Sequence, residues 1–132
     1  MGVCRGRISE GIDFKDDEAR CVVIIGIPYA SLSDIRIILK KDFLDEKIQN
    51  NFRDKKNVKS PNINKLISGD DWYRIQAIRA VNQAIGRVIR HIRDYGAIFL
   101  IDERYQRIQV QHLISGWLRD QISTETDYNR LG

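Results

Sequence analysis

Two short apolar runs, Val22-Val23-Ile24-Ile25 and Ile98-Phe99-Leu100-Ile101, constrain this chain more than any other feature. Neither alternates apolar with polar residues. Each therefore predicts a strand covered on both faces, the pattern of a parallel sheet interior. Gly26 and Pro28 close the first run, and the turn Asp94-Tyr95-Gly96 leads into the second.

Helical patterns lie between the two. One starts near Ser33, an N-cap residue, with Asp34 at the positive helix end. Its apolar residues Ile35, Ile38, Leu39, Phe43 and Leu44 follow helical spacing. Residues 51–68 are polar, carry Pro61 and four lysines, and read as a surface loop or insertion. A second helix follows Asp70-Asp71 and is expected from Trp72 to Ile92, and a final short one is expected to carry Trp117, Leu118 and Ile122. Strand, helix, strand alternation predicts an α/β layered fold. Met1 to Cys4 run straight into Arg5-Gly6-Arg7, so the chain reads as starting inside a domain. Its sheet is then expected to be incomplete at the N-terminal edge.

With 132 residues the chain is one ordinary domain at most, or part of a larger one. No apolar run approaches the roughly 18 residues a membrane helix needs, and the N-terminus has no secretory pattern. The net charge of +4 is a mild basic bias, compatible with phosphate-rich partners. Cys4 and Cys21 lack CxxC spacing, so they read as reduced, partly buried thiols of an intracellular protein, and a metal site on them needs further ligands.

The second helix carries the chemistry. At about 100° per residue, Ile78, Val81, Ile85, Val88 and Ile92 fall within roughly 80° of one another, and Arg79, Gln83, Arg87 and Arg90 form a stripe about 180° away. An ordinary solvated face is the simpler reading of such a stripe. Against it, Trp72 to Asp94 holds five arginines, no lysine, and Asp94 as its one acid. Solvated faces mix signs in Glu–Lys pairs, whereas arginine suits bidentate phosphate recognition. Gly86 sits in mid-pattern at a cost of about 1 kcal/mol relative to alanine. A ligand or backbone in close approach is one reason for it.

Gln83-Ala84-Ile85-Gly86-Arg87-Val88-Ile89-Arg90 reads QxxGRxxR, which resembles motif VI of superfamily 2 helicases. Arg5-Gly6-Arg7-Ile8-Ser9-Glu10-Gly11-Ile12-Asp13-Phe14 resembles motif V of the XPD-like iron–sulfur DNA helicases. The two stand in family order, with a strand and Gly26-Ile27-Pro28-Tyr29 between them. The finer resemblance is to the branch holding FANCJ and the regulator-of-telomere-elongation helicases (RTEL), and it is closest to the latter. Leu39 to Glu46, Asp71-Trp72-Tyr73-Arg74 and the block from Arg79 to Ile98 carry it. It covers residues 3 to about 119.

The resemblance implies a second RecA-like domain, three layers with a parallel sheet between helices. Residues 1–122 would form that partial domain, with an insertion at 51–68 and a tail at 123–132. In this family ATP binds between two RecA-like domains. The first supplies the phosphate loop, its lysine and the Mg²⁺-binding acid, and the second supplies arginines that stabilise the transferring phosphoryl group. Arg87 and Arg90 match those arginines and Gln83 the glutamine near the γ-phosphate. Gly11 and Asp13 match nucleotide-side positions of motif V. Arg5, Arg7 and Ser9 match positions facing the DNA backbone. The implied parent is a nuclear ATP-dependent 5′–3′ DNA helicase of repair, recombination or telomere maintenance, acting on single-stranded or forked DNA and holding a 4Fe–4S cluster.

The departures are as informative. The sequence contains no GxxxxGK(S/T) loop, no DEAH-type acid and none of the four cluster cysteines. Taken alone the chain is expected to be inactive, either as a fragment or as a truncated nucleic-acid-binding module. Glu10 with Asp13 reads as motif V rather than as an acid–base pair. His91 reads as a phosphate contact or a helix-end residue, and His112 as surface. Trp72 and Tyr73 read as stacking on a base or adenine or, more simply, as core or staple residues at a helix start, and Trp117 reads as packing. Lys55, Lys56, Lys59 and Lys65 read equally as DNA contacts or as a solvated loop.

Overall fold

The computed structural model describes residues 19–54, 66–91 and 93–124. Arg5, Arg7, Ser9, Gly11 and Asp13, the four loop lysines and the tail from residue 125 lie outside the described residues, as does Ile92. The chain divides into two compact units, Met1–Ile27 with Ile78–Gly132 and Pro28–Ala77.

In the first unit, strand β1 (Cys21–Ile25) pairs in parallel with β2 (Ala97–Ile101), Cys21 opposite Ala97 through Ile25 opposite Ile101. Both predicted runs are strands, and the fold is mixed α/β with a parallel sheet, as in a partial RecA-like domain. Pleating puts alternate residues on opposite faces. On one face Ile24 is buried and Val22, Ile98 and Leu100 are half-buried, whereas Val23, Ile25, Phe99 and Ile101 on the other are exposed. The apolar runs predict cover on both faces, and the described residues provide it on one.

Both strands end in bonds to their neighbours. Gly26 turns the chain at φ +75°, a conformation that suits glycine, and donates its N–H to Ile101 O at 3.0 Å. A short 3-10 turn, Glu103–Gln106, buries Tyr105, whose hydroxyl donates to Gly26 O at 3.0 Å.

The second unit contains helix α1 (Ile35–Asp54). Its start is capped by Asp34 rather than Ser33, because the Asp34 carboxylate accepts the Arg36 N–H at 3.0 Å. The Ser33 hydroxyl is instead bonded to that of Ser31. α1 also runs past Asn51, where the sequence suggests a loop. The Asn51 amide donates to Lys47 O at 2.7 Å, joining this polar residue to the preceding turn. Ile35, Ile38, Leu39 and Phe43 on α1 are exposed.

Helix α2 (Gly69–Ile85) begins before Trp72 and ends well before Ile92. Ser68 and Asp71 explain the early start: the Ser68 hydroxyl accepts the Asp71 N–H at 3.1 Å and donates to its carboxylate at 2.8 Å. Gly69 donates its N–H to Asp45 at 2.8 Å. A Cβ at Gly69 would stand 2.7 Å from Lys41 O, so α1 and α2 meet there without room for a side chain. A Lys41–Asp70 ion pair of 2.8 Å seals the same contact.

The division between units falls inside α2. Beyond it Ile78, Val81 and Ile85 on the helix and Val88 past its end are buried at 0–5% exposure, so the predicted apolar stripe is core. The expected final helix is two short ones, α3 (Ile108–Gln111) and α4 (Gly116–Arg119), and Ile122 lies beyond both. On α4 it is Leu118 that is buried, whereas Trp117, expected to pack, is 55% exposed.

Candidate functional site: the arginine segment after helix α2

Gly86 lies immediately past the last residue of α2, not in mid-helix as the sequence suggests. The final turn tightens there. Arg87 N–H reaches Ala84 O at 3.2 Å and Val88 N–H reaches Ile85 O at 3.0 Å, three residues back instead of four. Low helix propensity at Gly86 and β-branched Val88 and Ile89 account for the ending. No described residue outside the preceding turn comes within 4 Å of a Cβ placed at Gly86. The chain's own neighbours therefore do not require glycine at this position.

The expected stripe of Arg79, Gln83, Arg87 and Arg90 is thereby split. Arg79 and Gln83 stand exposed on α2; Arg87 is half-buried and Arg90 exposed in the irregular stretch after it. Gln83, Arg87 and Arg90 remain in one short segment, but helical periodicity does not set the directions of the two arginines.

What sets the segment is a group of bonds around Asp94, a residue only 4% exposed in its side chain. Its carboxylate accepts the Arg90 N–H at 3.0 Å, the Tyr95 N–H at 3.0 Å and the Arg20 guanidinium. The Arg90 N–H, foremost, and the Arg20 guanidinium hold the Asp94 carboxyl below its usual range. Arg20 also lies 4.4 Å over the Tyr95 ring and donates to Tyr95 O at 3.2 Å. Its own carbonyl accepts the Ala97 N–H at 2.9 Å, which joins this group to the sheet.

Gly96 makes the return possible. A Cβ there would stand 2.5 Å from Val88 Cγ1, 3.2 Å from Ile89 Cδ1 and 3.1 Å from Arg20 O. The other end of the segment is pinned by Asn82, next to Gln83. Its amide donates to Leu113 O at 2.9 Å and its carbonyl accepts the Ser115 N–H at 3.1 Å. Sequence reasoning misses Arg20 and Asn82, which carry no local signal. Asp94 is visible as the one acid in an arginine-rich stretch, though not as its anchor.

The other candidates resolve locally. Tyr73 stacks on Tyr29 with ring centroids 4.9 Å apart and donates its hydroxyl to Ala30 O, a packing role. His91 is exposed, with Nδ1 accepting the Arg93 N–H at 3.3 Å; His112 is exposed at the end of α3. Among the described residues no three His, Cys, Asp or Glu side chains are grouped to hold a metal ion. Cys21 is the one described cysteine and is exposed. With two cysteines in the whole sequence, the chain does not fit a four-thiolate iron–sulfur cluster. No helix among the described residues is long and apolar enough to cross a membrane.

Residues 1–121 match the helicase C-terminal domain family. Over 129 residues the chain is 46% identical to the regulator of telomere elongation helicase 1 homolog of Aedes aegypti, an overlap of 98% of this chain and 12% of that relative. The homolog of Arabidopsis thaliana is 48% identical over 131 residues, 99% of this chain and 12% of the relative. For Drosophila grimshawi the identity is 43% over 132 residues, with 100% and 12% covered. The chain thus spans about an eighth of the length of these curated relatives, 12% in each case.

Proposed function

Because the chain belongs to the helicase C-terminal domain family, we propose that it is the arginine-bearing side of the ATP site of a DNA helicase. The observation that carries this reading is the Gln83–Arg90 segment. Within eight residues it carries Gln83, exposed on the last turns of α2, and Arg87 and Arg90, half-buried and exposed in the stretch that follows.

Arg87 and Arg90 are the groups that stabilise charge developing on the transferring phosphoryl group. A guanidinium fork matches phosphate oxygens bidentately. Gln83 donates to the γ-phosphate or to the attacking water. ATP would supply the phosphoryl group and Mg²⁺ part of the charge neutralisation, and the phosphate loop and Mg²⁺-binding acid that would hold them belong to the first RecA-like domain of the parent. Gly11 and Asp13 belong on the nucleotide side. Arg5, Arg7 and Ser9 belong on the DNA backbone, where they position single-stranded or forked DNA without reading sequence. These five assignments rest on the resemblance to motif V. The parent is then a nuclear 5′–3′ helicase of DNA repair, recombination or telomere maintenance, and its 4Fe–4S cluster lies outside this stretch.

The test uses the full-length protein. Arg87→Ala is expected to lower DNA-stimulated ATP hydrolysis by about 10²–10³-fold, the scale seen when one charge-stabilising donor is removed. Unchanged hydrolysis would remove Arg87 from the ATP site.

A further inference from the structure

The bonds around Asp94 reach a backbone atom of one proposed arginine finger directly. We infer that Asp94, clamped by Arg20, is a positioning residue for ATP hydrolysis that fixes where Arg90 presents its guanidinium. This rests on the reading of Arg90 as an ATP-site residue.

After Ile85 the chain leaves helix α2, so no i→i−4 ladder holds Arg90 in place. The main-chain N–H of Arg90 is taken up by Asp94 Oδ2 at 3.0 Å, four residues further along. Asp94 N–H in turn donates to His91 O at 2.9 Å, so Asp94 is bonded back to both Arg90 and His91. These local bonds still need an outside anchor. Arg20 supplies it, binding the other carboxylate oxygen, stacking on Tyr95 and bonding Tyr95 O. Arg20 immediately precedes β1, and its carbonyl receives the first N–H of β2. Arg90 is thus referenced to the sheet through a chain of bonds in which Asp94 is the shared acceptor.

The Asp94 carboxylate takes three donors on two oxygens on a side chain 4% exposed, while the Arg20 side chain is 29% exposed. Removing the carboxylate leaves the Arg90 and Tyr95 N–H groups without this acceptor and takes from Arg20 its charged partner. Arg90 keeps its side-chain bond from Nε to Arg87 O at 3.5 Å but loses the backbone bond that ties it to Asp94. In catalysis by positioned charge, a displacement of about 1 Å can cost on the order of 10²-fold in rate.

A double-mutant cycle in the full-length protein tests this. Asp94→Ala is expected to lower kcat for DNA-stimulated ATP hydrolysis by about tenfold or more, with KM for ATP within about twofold. In an Arg90→Ala background the same change is expected to cost less than about twofold, since the group it positions is gone. Asp94→Asn retains one acceptor oxygen and should fall between the wild type and Asp94→Ala. If Asp94→Ala prevents folding, the cycle is run with Asp94→Asn. A merely structural residue would lower the melting temperature and cost the same factor in both backgrounds, and that additivity would overturn the inference. If Arg90→Ala alone leaves kcat unchanged, the ATP-site reading of Arg90 fails and takes this inference with it.

Discussion

At the scale of single residues, acids placed next to arginine backbone and side chain carry much of the local order. Asp102 is the clearest. It caps the turn that buries Tyr105 and accepts the Arg104 N–H at 2.9 Å, Arg104 Nε at 2.8 Å and Arg104 Nη2 at 2.6 Å. The Arg104 guanidinium, foremost, lowers the Asp102 carboxyl from 3.8 to about 2. Because folding lowers this pKa, the unfolded chain takes up the proton first as pH falls. The contribution is whole above the unfolded value near 3.8 and is lost by the folded value near 2. Asp94 and Asp70 are shifted in the same direction, by the Arg90 N–H and by Lys41 foremost. Unfolding of the chain followed from pH 7 to pH 2 should therefore show a plateau that falls below about pH 4. Asp102→Asn should remove part of that fall. A pH-independent midpoint would contradict the assignment.

At the scale of elements, glycines decide how closely segments meet. Gly69 allows α2 to start against Lys41 of α1, and Gly96 allows β2 to start against Val88 and Ile89. Gly69→Ala should cost about 1–3 kcal/mol by overpacking, because its clash is with backbone atoms that cannot swing away. Gly96→Ala instead clashes chiefly with the side chains of the arginine segment. It should lower hydrolysis in the full-length protein by more than its loss of melting temperature accounts for. Equal effects of the two substitutions on activity would contradict that distinction.

The sequence makes the existence of these elements plain and their ends obscure. α2 is legible from its apolar stripe, and Ile78, Val81, Ile85 and Val88 are indeed buried. Its end is not, because Val88 continues the stripe on the wheel after the helix has stopped at Ile85. The cap of α1 falls one residue later than the sequence suggests because Ser33 and Asp34 are both good caps, and the Asp34 carboxylate is the one that reaches the Arg36 N–H. Arg20 and Asn82 are invisible as anchors because their partners lie far along the chain, at Asp94, Leu113 and Ser115.

At the scale of the molecule, the parallel pairing of β1 and β2 is readable from two apolar runs, and the QxxGRxxR run spans the end of α2 and the irregular stretch after it. The apolar character of both strand faces is also readable; the open face at Val23, Ile25, Phe99 and Ile101 is not. Cover for a sheet face depends on elements that the strand's own sequence does not specify. The proposed function requires that these arginines act on a nucleotide whose phosphate loop is supplied by another domain. Its most direct test separates binding from chemistry in the full-length protein carrying Arg87→Ala or Arg87→Lys. Single-turnover hydrolysis of bound ATP should fall by about 10²-fold or more in both, since lysine keeps the charge but not the fork, while ATP affinity changes by less than about tenfold. Wild-type single-turnover rates in both variants would contradict that claim.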